Sequence, residues 1–158
     1  LTFQWEPFHA ISREILPLWK RHWCEVAMDR DTVSLDPDWD FYHETSLRGI
    51  LHILTARINT YEEIPASPLV GYVFNLVGPH NHYATTCFGI TEMFWLDPAF
   101  RRGWLPVRFM QENLDGLKER GVQIATINFK LGFQDGRVGK LLARLGYEPA
   151  DIVMRKRL

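Results

Sequence analysis

Three stretches rich in β-branched and aromatic residues, Ile50 to Ile58, Leu69 to Val77 and Ala84 to Leu96, follow one another mid-chain with only short breaks between them. Parallel neighbours need a long crossover, whereas antiparallel neighbours need only a hairpin. The run therefore predicts three consecutive antiparallel strands. Its breaks, Pro65-Ala66-Ser67-Pro68 and Gly78-Pro79-His80-Asn81, carry the residues that hairpin loops require.

Helices are expected on either side. From Ile11, the apolar positions Ile15, Leu18, Trp19, Trp23 and Val26 keep helical spacing, with a kink expected at Pro17. A second helix has Asp36 as its cap, Pro37 at its first position, and Asp38 and Asp40 complementing the dipole, and Arg48-Gly49 closes it. After the strands, Val107, Met110, Leu114 and Leu117 make one helical stripe ending at Gly121. Val122 to Phe129 reads as a strand, Val138, Leu141, Leu142 and Leu145 as a helix stopped by Gly146, and Ile152 to Met154 as a last strand. Two N-terminal helices, a β-meander, helix, strand, helix and strand make an α+β fold, a mixed and mostly antiparallel twisted sheet flanked by helices.

At 158 residues, the chain is expected to be a single domain, 1–158. Hydrophobic residues at 46% are enough for a real core, which excludes disorder as the dominant state. Eighteen basic against nineteen acidic residues leave a net charge of -1, so nucleic acid is not an expected partner. The most apolar stretch, Leu69 to Val77, is about half the ~18 residues a membrane helix needs, and no membrane partner is expected. The opening residues have no leader pattern, and Cys24 and Cys87 make neither a disulfide framework nor a CxxC site, so a cytoplasmic location is expected.

In the register Phe88, Ile90, Glu92, Phe94, Leu96, one carboxylate shares a strand face with four apolar side chains. A carboxylate so buried needs a partner, a raised pKa or a cleft, and becomes a candidate general base; the alternative is a glutamate at a strand mouth that reaches water. Phe100-Arg101-Arg102-Gly103-Trp104-Leu105-Pro106 lies between strand and helix, where backbone amides and two arginines suit a pyrophosphate. In His80-Asn81-His82-Tyr83, the pair near Cys87 lacks a convincing third ligand, so no metal is assigned; His82 and Tyr83 are either loop surface or auxiliary acid/base groups. His22 and Glu25 share a helix face, as a solvated edge or as recognition of an acceptor amine. Of the six tryptophans, Trp104 alone is expected outside the core, shielding or stacking on the pyrophosphate.

Glu92, then Asp97-Pro98-Ala99-Phe100-Arg101-Arg102-Gly103, Gly121-Val122 and Leu141-Leu142-Ala143-Arg144-Leu145-Gly146-Tyr147-Glu148, resemble the GNAT superfamily of N-acetyltransferases over about Leu51 to Lys156. With the early His22-Trp23-Cys24-Glu25, the chain looks closest to acetyltransferase-like proteins of tailed bacteriophages. The resemblance implies a GNAT-like splayed sheet and acetyl transfer from acetyl-CoA to an amine, with Glu92 as base directly or through water. It also implies that the strand at Phe94, Trp95 and Leu96 positions the acyl arm, and that Arg101, Arg102, Gly103, Trp104, Leu105 and Val107 hold the pyrophosphate. The chain departs from the family's pattern at three positions: Trp104 and Pro106 occupy the two small-residue positions of the turn, with Gly103 one place early and Pro106 without an N–H to offer, and Leu142 stands where many members carry a tyrosine that protonates the leaving thiolate. The resemblance thus leaves two outcomes, a slow enzyme or a phage protein that acts by binding a host or virion protein.

Overall fold

The computed structural model describes residues 1–59, 67–130 and 136–156. Strand β1 (Thr2–Glu6) leads into helices α1 (Phe8–Val26) and α2 (Trp39–Leu47). Strands β2 (Leu51–Arg57), β3 (Leu69–His80) and β4 (Tyr83–Leu96) follow, then α3 (Leu105–Glu119), β5 (Ile124–Ile127) and α4 (Arg137–Arg144). They form one sheet in the order β1-β2-β3-β4-β5, antiparallel except for the parallel β4–β5 pair.

The expected meander is present, and the expected α+β class holds. β2 and the first half of β3 are buried nearly throughout because helices cover both faces of the sheet, which is why their sequences read as continuous apolar runs. On one face, Phe8, Ile11, Ile15 and Trp19 of α1 pack on Leu51, Ile53, Tyr72, Phe74 and Trp95. On the other, Phe109 and Met110 of α3 and Leu142 of α4 pack on Leu54, Val73 and Leu96.

Four expectations are corrected. β1 is an additional strand, paired with β2 from Thr2↔Arg57 to Glu6↔Ile53. Helix α1 begins at Phe8 and runs through Pro17, which sits on its exposed side, so only the bond toward Arg13 is lost. The cap of α2 is Asp38, whose Oδ1 accepts from the Phe41 N–H at 2.9 Å, and not Asp36. Ile152, Val153 and Met154 join no strand and are exposed. Residues 65 and 66 of the first hairpin break lie outside the described residues.

Candidate functional site

The β4 register determines how the site is built. Phe74 pairs with Met93 and Asn75 with Thr91, so Glu92 is an extra residue, a β-bulge. A bulge shifts side-chain parity by one. Phe94 and Leu96 therefore face α3, whereas Ile90, opposite Leu76, faces the α1 side. The shared face expected for Phe88, Ile90, Glu92, Phe94 and Leu96 does not exist, and Glu92 is exposed rather than enclosed. Its carboxylate lies on the α2 side, where burial, then Glu92 and Asp38, push the Tyr42 phenol above its ordinary pKa.

The same bulge ends the parallel ladder. β4 pairs with β5 from Phe88↔Ile124 to Thr91↔Ile127 and no further. Beyond it, the Asp97 N–H donates to Val70 O at 2.8 Å, so Trp95 and Met93 also turn their backbone groups toward β3. Backbone groups alternate along a strand, so those of Phe94 and Leu96 turn the other way, onto an edge that no described strand covers and where Arg101 Nε already takes the Leu96 carbonyl.

The turn after β4 leads from this edge to the start of α3. Gly103 takes φ +65°, which bends the chain into the helix. Arg102, Gly103 and Trp104 are exposed, and the Leu105 and Val107 N–H groups are at the helix start, where no intrahelical partner exists; Pro106 has none to give. Trp104 is 66% exposed, with Arg144 of α4 4.9 Å from its ring centre. An open strand edge leading to a helix N-terminus beside an arginine suits an extended ligand carrying amides and ending in phosphate.

Arg101 is placed differently from what the sequence suggested. Its Nε donates to Leu96 O at 2.6 Å, one terminal nitrogen donates to Glu25 Oε2 at 2.7 Å, and the other pairs with Glu25 Oε1. Glu25 also accepts from Trp95 Nε1 at 2.8 Å. Arg101 and Glu25 thus tie α1 to the turn, and the Trp95 side chain is committed beneath α1, on the opposite face from Phe94 and Leu96. His22 Nδ1 is 2.7 Å from the buried Tyr72 hydroxyl. Burial, against the opposing pull of Glu25 and with help from Arg101 and Lys130, lowers the His22 pKa to about 4, so its ring is neutral at pH 7. The structure therefore brings His22, Glu25, Trp95 and Arg101 together, but as an interlocked cluster.

His82 and Tyr83 are not brought to Glu92. They lie at the β3–β4 hairpin tip, five β3 residues from Asn75, about 17 Å at the usual strand rise. There the His82 N–H donates to His80 Nδ1 at 3.2 Å, and the rings of His80, Tyr83 and Phe88 pack together. No group of three metal-ligating side chains occurs among the described residues. Leu142 is buried in the α3/α4 core, and Tyr147 packs beside it with its hydroxyl enclosed. Among the described residues no helix is long and apolar enough to cross a membrane.

Tyr42 and Tyr72 are contributors that the sequence reading missed. Tyr72 had a signal, a phenol inside a run otherwise apolar except for Asn75, which predicts a buried partner.

No family model matches the sequence, and no curated protein matches it. Solved structures do. A ribosomal-protein-alanine N-acetyltransferase from Brucella melitensis biovar Abortus 2308 superposes with a TM-score of 0.68 at 16% identity, covering 99% of this chain and 100% of that one. An aminoglycoside acetyltransferase from an uncultured soil metagenomic sample gives 0.72 at 12% identity over 100% and 99%. A predicted acetyltransferase with acetyl-CoA from Clostridium acetobutylicum gives 0.67 at 12% over 99% and 95%. The fold is that of the GNAT acetyltransferases.

Proposed function

We propose that this chain is an acetyl-CoA-dependent N-acetyltransferase that modifies a primary amine of a protein or small molecule. The observation that carries the reading is the end of the β4–β5 ladder at Thr91, next to the bulge at Glu92, which leaves the Phe94 backbone and the Leu96 N–H without a described strand partner along a path to the start of α3. The fold supports it, since one similar structure is described with acetyl-CoA and others as acetyltransferases acting on a ribosomal protein or on aminoglycosides.

Phe94 and Leu96 would hold the acyl arm through their backbone, and Arg102, Gly103, Trp104, Leu105 and Val107 the pyrophosphate. When bound, acetyl-CoA supplies the acyl group and the thiolate leaving group. Glu92, exposed on the α2 side of the sheet, takes the proton released by the acceptor amine, directly or through water. Arg101 is a positioning residue in this scheme, because its donors are already engaged.

A second reading, a GNAT-fold phage protein that binds a host or virion protein without turnover, is favoured by Leu142, which offers no proton to a thiolate. One experiment separates the two: acetyl-CoA consumption over a panel of amines, in the parent and in Glu92→Gln. The enzyme reading expects consumption that falls roughly 10²–10⁴-fold in the variant with acetyl-CoA affinity retained. Binding of acetyl-CoA without consumption by any amine would contradict it and favour the second reading.

A further inference from the structure

Between α3 and the sheet, three polar side chains are buried completely: Asn75 of β3 and Asn113 of α3 at 0% exposure and Thr91 of β4 at 1%. Their hydrogen bonds close on one another. Asn75 Nδ2 donates to Asn113 Oδ1 at 2.8 Å, Thr91 Oγ1 donates to Asn75 Oδ1 at 2.8 Å, and Asn113 Nδ2 reaches the same oxygen at 3.3 Å. Asn75 Nδ2 also lies 3.3 Å from His52 O. Around them the layer is apolar, built from Val73, Phe109, Met110 and their neighbours.

Buried amides of this kind give little net stability, since apolar groups of the same shape serve about as well; their attested use is to select one arrangement among several. β4 has such a choice. Without the bulge, strict alternation would put Phe88, Ile90, Phe94 and Leu96 on one face, the register that the sequence itself favours. Asn75 would then stand opposite Glu92 and Leu76 opposite Thr91. That register would turn the Thr91 hydroxyl to the α1 side, remove its hydrogen bond to Asn75 Oδ1 and bring the Glu92 carboxylate into the apolar layer beneath α3. In the bulged register, Thr91 is both the residue that meets Asn75 and the last residue paired to β5.

We propose that Asn75, Thr91 and Asn113 are positioning residues that lock β4 in its bulged register, and so determine where β4 leaves β5 and on which side Glu92 emerges. The link to acetyl transfer rests on the function proposed above; the register lock itself does not.

Cross-strand NMR contacts read the register without any ligand. The parent and Thr91→Ser, which keeps the hydroxyl, are expected to show Asn75–Thr91 contacts alone. Thr91→Val and the triple variant Asn75→Leu, Thr91→Val, Asn113→Leu are expected to show Asn75–Glu92 and Leu76–Thr91 contacts as a second set, or exchange broadening confined to residues 88–96. Protection of α1 amides should be unchanged in both. Acetyl-CoA affinity should fall at least tenfold in the same two variants and stay at the parental value in Thr91→Ser. If the triple variant does not fold, Thr91→Val decides alone. A folded Thr91→Val or triple variant with only the parental contacts would overturn the lock. Failure of the parent to bind acetyl-CoA would count against the proposed function while leaving the register result standing.

Discussion

Glu25 on the last turn of α1 and Arg101 in the turn after β4 face each other through both oxygens and both terminal guanidinium nitrogens, although they are 76 residues apart. Trp95 lies under the pair, its Nε1 donating to Glu25 and its ring centre 5.7 Å from the Arg101 guanidinium carbon. Arg21, the next basic residue on the same helix, reinforces the tie by pairing with Asp97 at 2.7 Å. Burial works against ionisation of Asp97, but the Ala99 N–H and Arg21 outweigh it and hold its carboxyl below the usual range.

Arg101 should therefore matter for stability and Arg102 for ligand. Arg101→Gln is expected to cost about 1–3 kcal/mol, the range for charge-assisted hydrogen bonds, and a cycle with Glu25→Gln should show that most of the cost is shared. Arg102→Ala, at an exposed position, should change stability by no more than about 0.5 kcal/mol while weakening acetyl-CoA roughly tenfold. Urea denaturation and calorimetric titration check the two halves; an Arg101→Gln protein of parental stability would contradict the first.

His22 should leave a mark on the acid limb of stability. Its folded pKa of about 4 lies below the ordinary 6.5, so between those values the unfolded chain binds a proton that the native state does not. Stability then rises with pH across that window and is lost as pH falls from 6.5 toward 4, by about 1–3 kcal/mol for this group. Asp97 acts in a lower window, below its ordinary 3.8. His22→Gln, which does not titrate, should flatten the curve between 6.5 and 4; an unchanged slope in denaturant midpoints over that range would contradict the assignment.

Introducing the tyrosine that many GNAT members carry should not restore an acid here. Leu142 is 3% exposed and packed against Leu96, Phe109 and Met110. Leu142→Tyr overfills that site, and its expected cost is about 1–3 kcal/mol with no gain in rate. Thermal unfolding beside a turnover assay checks it, and a faster variant of parental stability would show that the site has room for the phenol.

Local signals made most elements legible. The helix stops at Gly49, Gly121 and Gly146 are real, each with a positive φ; the α4 stripe faces the core as its spacing implies, whereas the buried face of α3 is shifted to Phe109, Met110, Asn113 and Leu117, leaving Val107 and Leu114 half-buried. β1 escaped because its alternation, Phe3 and Trp5 against Thr2, Gln4 and Glu6, covers only five residues. The bulge was illegible for a deeper reason. Alternation around Glu92 argues for an unbroken strand, whereas the buried bonds that accompany the bulge run from Thr91 to Asn75 and on to Asn113, 38 residues from Asn75 in the chain. The Arg101 turn is legible as a turn, but the direction of its arginine is not, because Glu25, its partner, lies in a helix that nothing local connects to it. Ile152 to Met154 have strand composition, yet composition does not supply a neighbour to pair with.

Acetyl-CoA is expected to lie along the edge of β4 that no described strand covers. Titrating it into 15N-labelled protein tests this directly: the amides of Phe94, Leu96, Leu105 and Val107 should shift together and saturate on one binding curve, while those of the hairpin tip at His82 and Tyr83 stay in place. Millimolar acetyl-CoA that leaves those four amides unmoved, or that shifts only residues elsewhere, would contradict it.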